Sequence, residues 1–118
     1  MARTALTPTV LSTAGFNITT ALAALGSATG VQWSNTGREV LIVQVGGTPT
    51  VVTENIGTTV LGQAVTAPTV NLAATTYYVL GPYPSQFNQP SSGTNQVFLD
   101  FSSSTAVSVA LVQMQGVI

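Results

Sequence analysis

From residue 30 onward, short apolar runs alternate with clusters of Gly, Pro, Asn and Ser. Glu39-Val40-Leu41-Ile42-Val43-Gln44-Val45 is almost continuously apolar and β-branched. Such a run reads as a central strand covered on both faces. Gly46-Gly47-Thr48-Pro49 predicts a turn, and Thr50-Val51-Val52-Thr53-Glu54 the returning strand. Val31-Gln32-Trp33-Ser34 is a short strand stopped by Asn35-Thr36-Gly37, and Ala64 to Leu72 is another, notched by Pro68. Thr75 to Leu80 places Tyr77 and Val79 on one face and Tyr78 and Leu80 on the other. Val97, Leu99 and Phe101 share a side of the run from Gln96, and Val107, Val109 and Leu111 share a face of Ala106 to Met114. About eight short strands at this spacing predict an all-β chain. The expected fold is one antiparallel β-sandwich or jelly-roll-like barrel, with residues 1–118 forming a single domain.

Two stretches depart from that pattern. Residues 4–12 alternate loosely around Pro8, which suits an N-terminal arm or an edge strand over residues 1–12. Residues 18–25 carry Ile18, Leu22 and Leu25 at helical spacing before Gly26, so a helix of about two turns fits there. Two Thr weaken it, and a loop or short strand fits nearly as well.

Gly81-Pro82-Tyr83-Pro84-Ser85-Gln86-Phe87-Asn88-Gln89-Pro90-Ser91-Ser92-Gly93 is a long irregular segment. Its prolines exclude strand pairing, and its aromatics favour an ordered loop. It reads either as a contact surface or as a crossover that packs its own rings on the sandwich edge.

Composition changes the functional picture. The chain has two basic and three acidic residues and lacks His and Cys. The charges are Arg3, Arg38, Glu39, Glu54 and Asp100, so the net charge is −1. A charged fraction of 4% lies far below the roughly 25% of ordinary soluble domains. General acid–base and nucleophilic catalysis draw on the side chains this sequence nearly lacks. The expectation is therefore a non-enzymatic structural or binding protein, with no cofactor, metal or small-molecule substrate. Two Arg make no basic stripe for nucleic acid. No apolar run reaches the roughly 18 residues that span a bilayer, and no signal peptide is read at the start. A surface of hydroxyls and amides carries little repulsion and suits chains packed against neighbours.

The remaining candidates are weak. Glu54 and Asp100 would serve as a glycosidase pair only if folding brought the carboxyls together. Arg38-Glu39 at a strand start reads as a polar cap or an intersubunit ion pair. Gly46-Gly47 lacks the following Lys and helix of a phosphate loop. Asn17-Ile18-Thr19 matches a glycosylation sequon by chance. Trp33, Tyr83 and Phe87, with Gln86, Asn88 and Gln89 beside them, have the residue types of a sugar-stacking platform, although such rings more often pack a core.

Several pieces together have a family likeness. They are Ala2-Arg3-Thr4-Ala5-Leu6-Thr7, Asn35-Thr36-Gly37-Arg38-Glu39-Val40-Leu41-Ile42-Val43 with its Gly-Gly turn, Leu80-Gly81-Pro82-Tyr83-Pro84, Phe87-Asn88-Gln89 and Val97-Phe98-Leu99-Asp100-Phe101. Their order resembles small capsid decoration (cement) or minor head proteins of tailed bacteriophages. The resemblance implies a β-rich homotrimer on the outer surface of the virion, made in the host cytoplasm. Its partner would be a major capsid protein of the HK97-like fold, clamped against internal pressure. The contacts expected on this basis are Ala2, Arg3, Thr4 and Leu6 of the arm and Tyr83, Phe87, Asn88 and Gln89 of the loop. Another phage part (head-fibre base, tail or connector protein) and a carbohydrate-binding or adhesive module are the alternatives.

Overall fold

A computed structural model describes residues 3–57, 59–89 and 95–114. Among them the strands are β1 (Arg3–Ala5), β2 (Thr9–Val10), β3 (Ala23–Ala24), β4 (Gly30–Ser34), β5 (Glu39–Val45), β6 (Thr50–Glu54), β7 (Thr59–Val60), β8 (Gln63–Ala64), β9 (Thr69–Leu72), β10 (Tyr77–Leu80), β11 (Gln96–Phe101) and β12 (Val107–Gln113). One turn of helix, α1 (Ile18–Ala21), and a 3-10 turn at Ser85–Phe87 complete the elements.

Two five-stranded sheets face one another. The first has the order β1-β4-β11-β6-β9; the second runs β10-β5-β12-β2, with β3 also pairing β12. The expected all-β sandwich is thus what the chain forms. It has more strands than the apolar runs predict, because β2, β3, β7 and β8 are two-residue pieces too short to leave a periodic signature. The sheets are mixed, since β1 runs parallel to β4 and β2 parallel to β12.

Alternation decides the faces. Leu41, Val43 and Val45 of β5 are buried, as are Val97, Leu99 and Phe101 of β11. Each strand thereby lays one row of β-branched or large side chains into the space between the sheets. Trp33, at 1% exposure, is among the largest fully buried side chains. β5 is central, yet its outer face is less covered than its apolar run implies: Val40 and Ile42 are half-buried. On β12 both faces are closed, because Ala110 and Val112 are also buried and α1 lies against that strand.

The Gly-Gly-Thr-Pro turn is not a hairpin. β5 belongs to one sheet and β6 to the other, so the chain crosses the sandwich there. Gly46 allows it: a Cβ would fall 2.5 Å from Ala106 Cβ and 2.9 Å from its carbonyl oxygen. Residues 18–25 turn out to hold both predicted states. Asn17 caps α1 by accepting from Thr20 N–H, and the chain is extended again by Ala23. Pro68 divides the run from Ala64, leaving β8 and β9 separate.

The N-terminal segment takes the edge-strand alternative. β1 borders one sheet and β2 the other, so residues 3–10 lie along the same side of both layers. Leu6 N–H donates to Gln32 C=O at 2.8 Å, and its side chain packs on the core.

Candidate functional site

Asp100 sits on the outer face of β11, in register with Gly30 and Thr53. Arg3 Nε and Nη2 donate to its two oxygens at 2.8 and 2.9 Å. Asn55 Nδ2 donates to Oδ2 at 2.8 Å, and the guanidinium lies 4.3 Å from the Phe98 ring centre. Both charged side chains are largely shielded from water, which favours a bidentate pair over an exposed one. Gly30 makes room: a Cβ there would come 2.7 Å from Asp100 Oδ1. The amino terminus is therefore pinned to the chain's own sheet by one of its two cations.

Gly81 has φ +102° and is joined to Pro82 by a cis peptide, and Tyr83 follows. Tyr83 is 4% exposed, and its ring centre lies 5.9 Å from that of Trp33 and 5.1 Å from that of Phe87. Its hydroxyl donates to Glu54 Oε2 at 2.5 Å. Burial, then the hydrogen bond to Glu54 and its negative charge, push the phenol far above its ordinary range. Asn35 Nδ2 donates to Tyr83 C=O at 3.0 Å and to Asn88 Oδ1 at 2.7 Å. Gln89 Nε2 donates to Asn55 C=O at 3.2 Å, and Gly57 N–H to Gln86 C=O at 3.1 Å. These bonds fasten the Pro-rich loop to the β4–β5 turn and to the strand end beyond Glu54.

The geometry sorts the sequence candidates. Ala2 lies outside the described residues, as do Pro90 to Gly93. Arg3 is ion-paired, Thr4 is exposed and Leu6 packs on the core. Tyr83 is interior, Phe87 packs against the core, and Asn88 and Gln89 are half-buried and hydrogen-bonded within the chain. Among the described residues of that loop, Gly81, Pro82, Pro84, Ser85 and Gln86 face solvent. A shallow depression of about 170 Å³ lies there, lined by Asn35, Thr36, Gly37, Tyr83, Pro84, Ser85 and Asn88.

Two readings are corrected. Trp33 and Tyr83 are both interior, so they present no ring face on which a sugar could stack. The physical reason is that the loop's aromatics gain more from the sandwich edge than from water. Glu54 and Asp100 lie on opposite faces of one sheet: Glu54 is in register with buried Leu99, and Asp100 with Thr53 on the outer side. They cannot flank one bond. Glu39 is the polar cap of its strand, accepting from Thr36 N–H at 2.7 Å and Thr36 Oγ1 at 2.6 Å. Arg38 is exposed.

A different region escaped the sequence reading. The β7–β8 hairpin turns through Leu61 and Gly62, with φ of +50° and +78°. Leu61 is 97% exposed. On the outer face of the β10–β5 sheet, an apolar groove of about 390 Å³ is lined by Ile18, Thr19, Ile42, Tyr77, Tyr78 and Val79. The alternation of β10 signals its outward Tyr77 and Val79. The dipeptide Leu-Gly between two short extended pieces is the sole sign of the hairpin.

Comparisons with protein-family models, with curated proteins and with solved structures find no match to this chain.

Proposed function

We propose that this chain is a structural virion protein that decorates the outer face of a bacteriophage capsid and stabilises the shell. The observation that carries the reading is where the charges go. Arg3 and Asp100 neutralise each other, Glu39 caps its own turn and Glu54 holds Tyr83. Four of the five ionisable side chains named above are thus engaged within the chain, and Arg38 is the exposed one. What remains outside is hydroxyl, amide and apolar surface, suited to close packing on a protein lattice. The order of sequence pieces described above resembles the decoration and minor head proteins of tailed phages, and supports the same assignment. The partners on this reading are the major capsid protein and further copies of the chain itself, as a homotrimer.

Mixing the purified protein with empty expanded capsids tests it. Co-sedimentation that saturates at a fixed ratio to capsid subunits is expected. Protein left in the supernatant, while it sediments with isolated tails or connectors, would move the assignment to another part of the particle.

A further inference from the structure

Leu61 is anomalous twice over. The turn it occupies needs positive φ at both central residues, which Asn, Asp and Gly supply readily. A branched apolar side chain at φ +50° is disfavoured there. The same side chain is 97% exposed, so the strain is not compensated by burial within the chain. A strained residue kept at an exposed tip points to a role outside the fold.

The apolar groove supplies the complement. Its walls are Ile18 on α1, Ile42 on β5 and Tyr77 and Val79 on β10, and no charged residue lines it. Ile18 is 42% exposed, Val79 64% and Tyr77 65%. Gln44 Nε2 donates to the Tyr77 hydroxyl at 3.0 Å, which sets the ring across the sheet and shapes one wall in advance. Asn17 caps α1, the element that carries Ile18. The groove lies at the small end of the range, roughly 300 to 1,000 Å³, in which proteins bury apolar ligands.

We infer that Leu61 of one copy seats in the Ile18–Ile42–Tyr77–Val79 groove of the next copy. Three observations favour a second copy as the occupant. Knob and groove reside on one chain, yet Leu61 does not enter its own groove, since it is almost fully exposed. Both partners to the contact are uncharged, and an apolar side chain matches the mainly apolar lining. A net charge of −1 puts almost no repulsion between copies. The contact can be exchanged reciprocally about a two-fold axis, or run head to tail and close into a ring when the rotation allows. One such contact falls at or below the low end of interface size, under roughly 1,200 Å² in total. Ring closure raises its strength by making the last contact intramolecular. The inference gives a surface to the self-association named above and rests on that part of the reading, not on the capsid assignment.

Sedimentation equilibrium of the full chain over a wide concentration range tests it, with two variants. Leu61→Asn removes the knob and suits the turn better, so folding is retained. Val79→Lys places a charge in the groove on an exposed strand position. Wild type is expected to associate, and each variant alone to associate at least about tenfold more weakly, the factor expected from one lost buried leucine. Mixed in equal amounts, the variants should form a one-to-one pair and nothing larger, held by one contact and so weaker than the wild-type assembly but tighter than either variant with itself. The Val79→Lys chain keeps its knob and the Leu61→Asn chain keeps its groove. The chain has no cysteine, so a mixture of Leu61→Cys and Val79→Cys chains should give a single disulfide-linked dimer on oxidation. Wild type that stays monomeric throughout, Leu61→Asn that associates like wild type, or mixing that restores nothing would overturn the inference. Monomeric wild type whose capsid binding needs Leu61 would hand the knob to the shell instead.

Discussion

Tyr83 shows how much a single residue carries. It closes the aromatic cluster with Trp33 and Phe87 and satisfies Glu54 at the same time. Its phenol is held protonated well above the ordinary value near 10. Above about pH 10 the unfolded chain has released that proton while the folded chain keeps it. Folded molecules then bind more protons, so stability falls as pH rises, by about 1.4 kcal/mol per pH unit for this group. The stabilisation is fully present below pH 10 and is lost upward from there. Urea titrations at several alkaline pH values should show that slope in wild type and a flatter one in Tyr83→Phe. Equal slopes would mean Tyr83 is not the group responsible. The sequence placed an aromatic among prolines but did not say whether it faced water or core. That choice depends on Trp33 and Glu54, which lie 50 and 29 residues away in the chain and meet Tyr83 only after the sheets form.

At the scale of elements, legibility followed strand length. β5, β6 and β11 run over the residues their apolar patterns mark, and the inward rows of β10, β11 and β12 are those alternation assigns. What alternation does not carry is which sheet a strand joins. The crossing after β5 depends on Gly46 meeting Ala106, a contact between residues 60 apart. The N-terminal segment is the other case, because three- and two-residue strands around Pro8 look the same as an unattached arm. Its pairing to β4 and β12, and the Arg3–Asp100 bond, make it part of this fold. Deleting residues 2–10 would uncover Leu6's contacts and leave Asp100 without its cation. The melting temperature of the truncated protein should therefore fall by more than the roughly 4–8 °C that 1 kcal/mol shifts a small domain. Arg3→Ala alone should lower it by less. A truncated protein that melts like wild type yet loses shell binding would return the segment to the role of a free arm.

For the whole molecule, the consequence of a nearly charge-free exterior is a binding mode. Long-range electrostatic steering and counterion release both need exposed charge, and at physiological salt exposed charges are screened beyond about 8 Å. Here the exposed charge among the described ionisable side chains is Arg38, at the turn before β5, while the other four are tied up internally. An interface made by this surface rests on shape, amide and hydroxyl hydrogen bonds and apolar contact, as with the groove beside Val79. Such an interface gains little from low salt and loses little at high salt. Capsid co-sedimentation measured from low to molar salt should thus give nearly constant affinity, with salting-out conditions strengthening it slightly. A steep fall would show that charge anchors the contact. Arg38→Gln would then be the decisive variant: if it removes the salt dependence, the face around the β4–β5 turn is what meets the shell. If the dependence survives, one of the internally paired charges is the anchor, and Arg3→Gln and Glu54→Gln tell the amino-terminal edge from the end of β6.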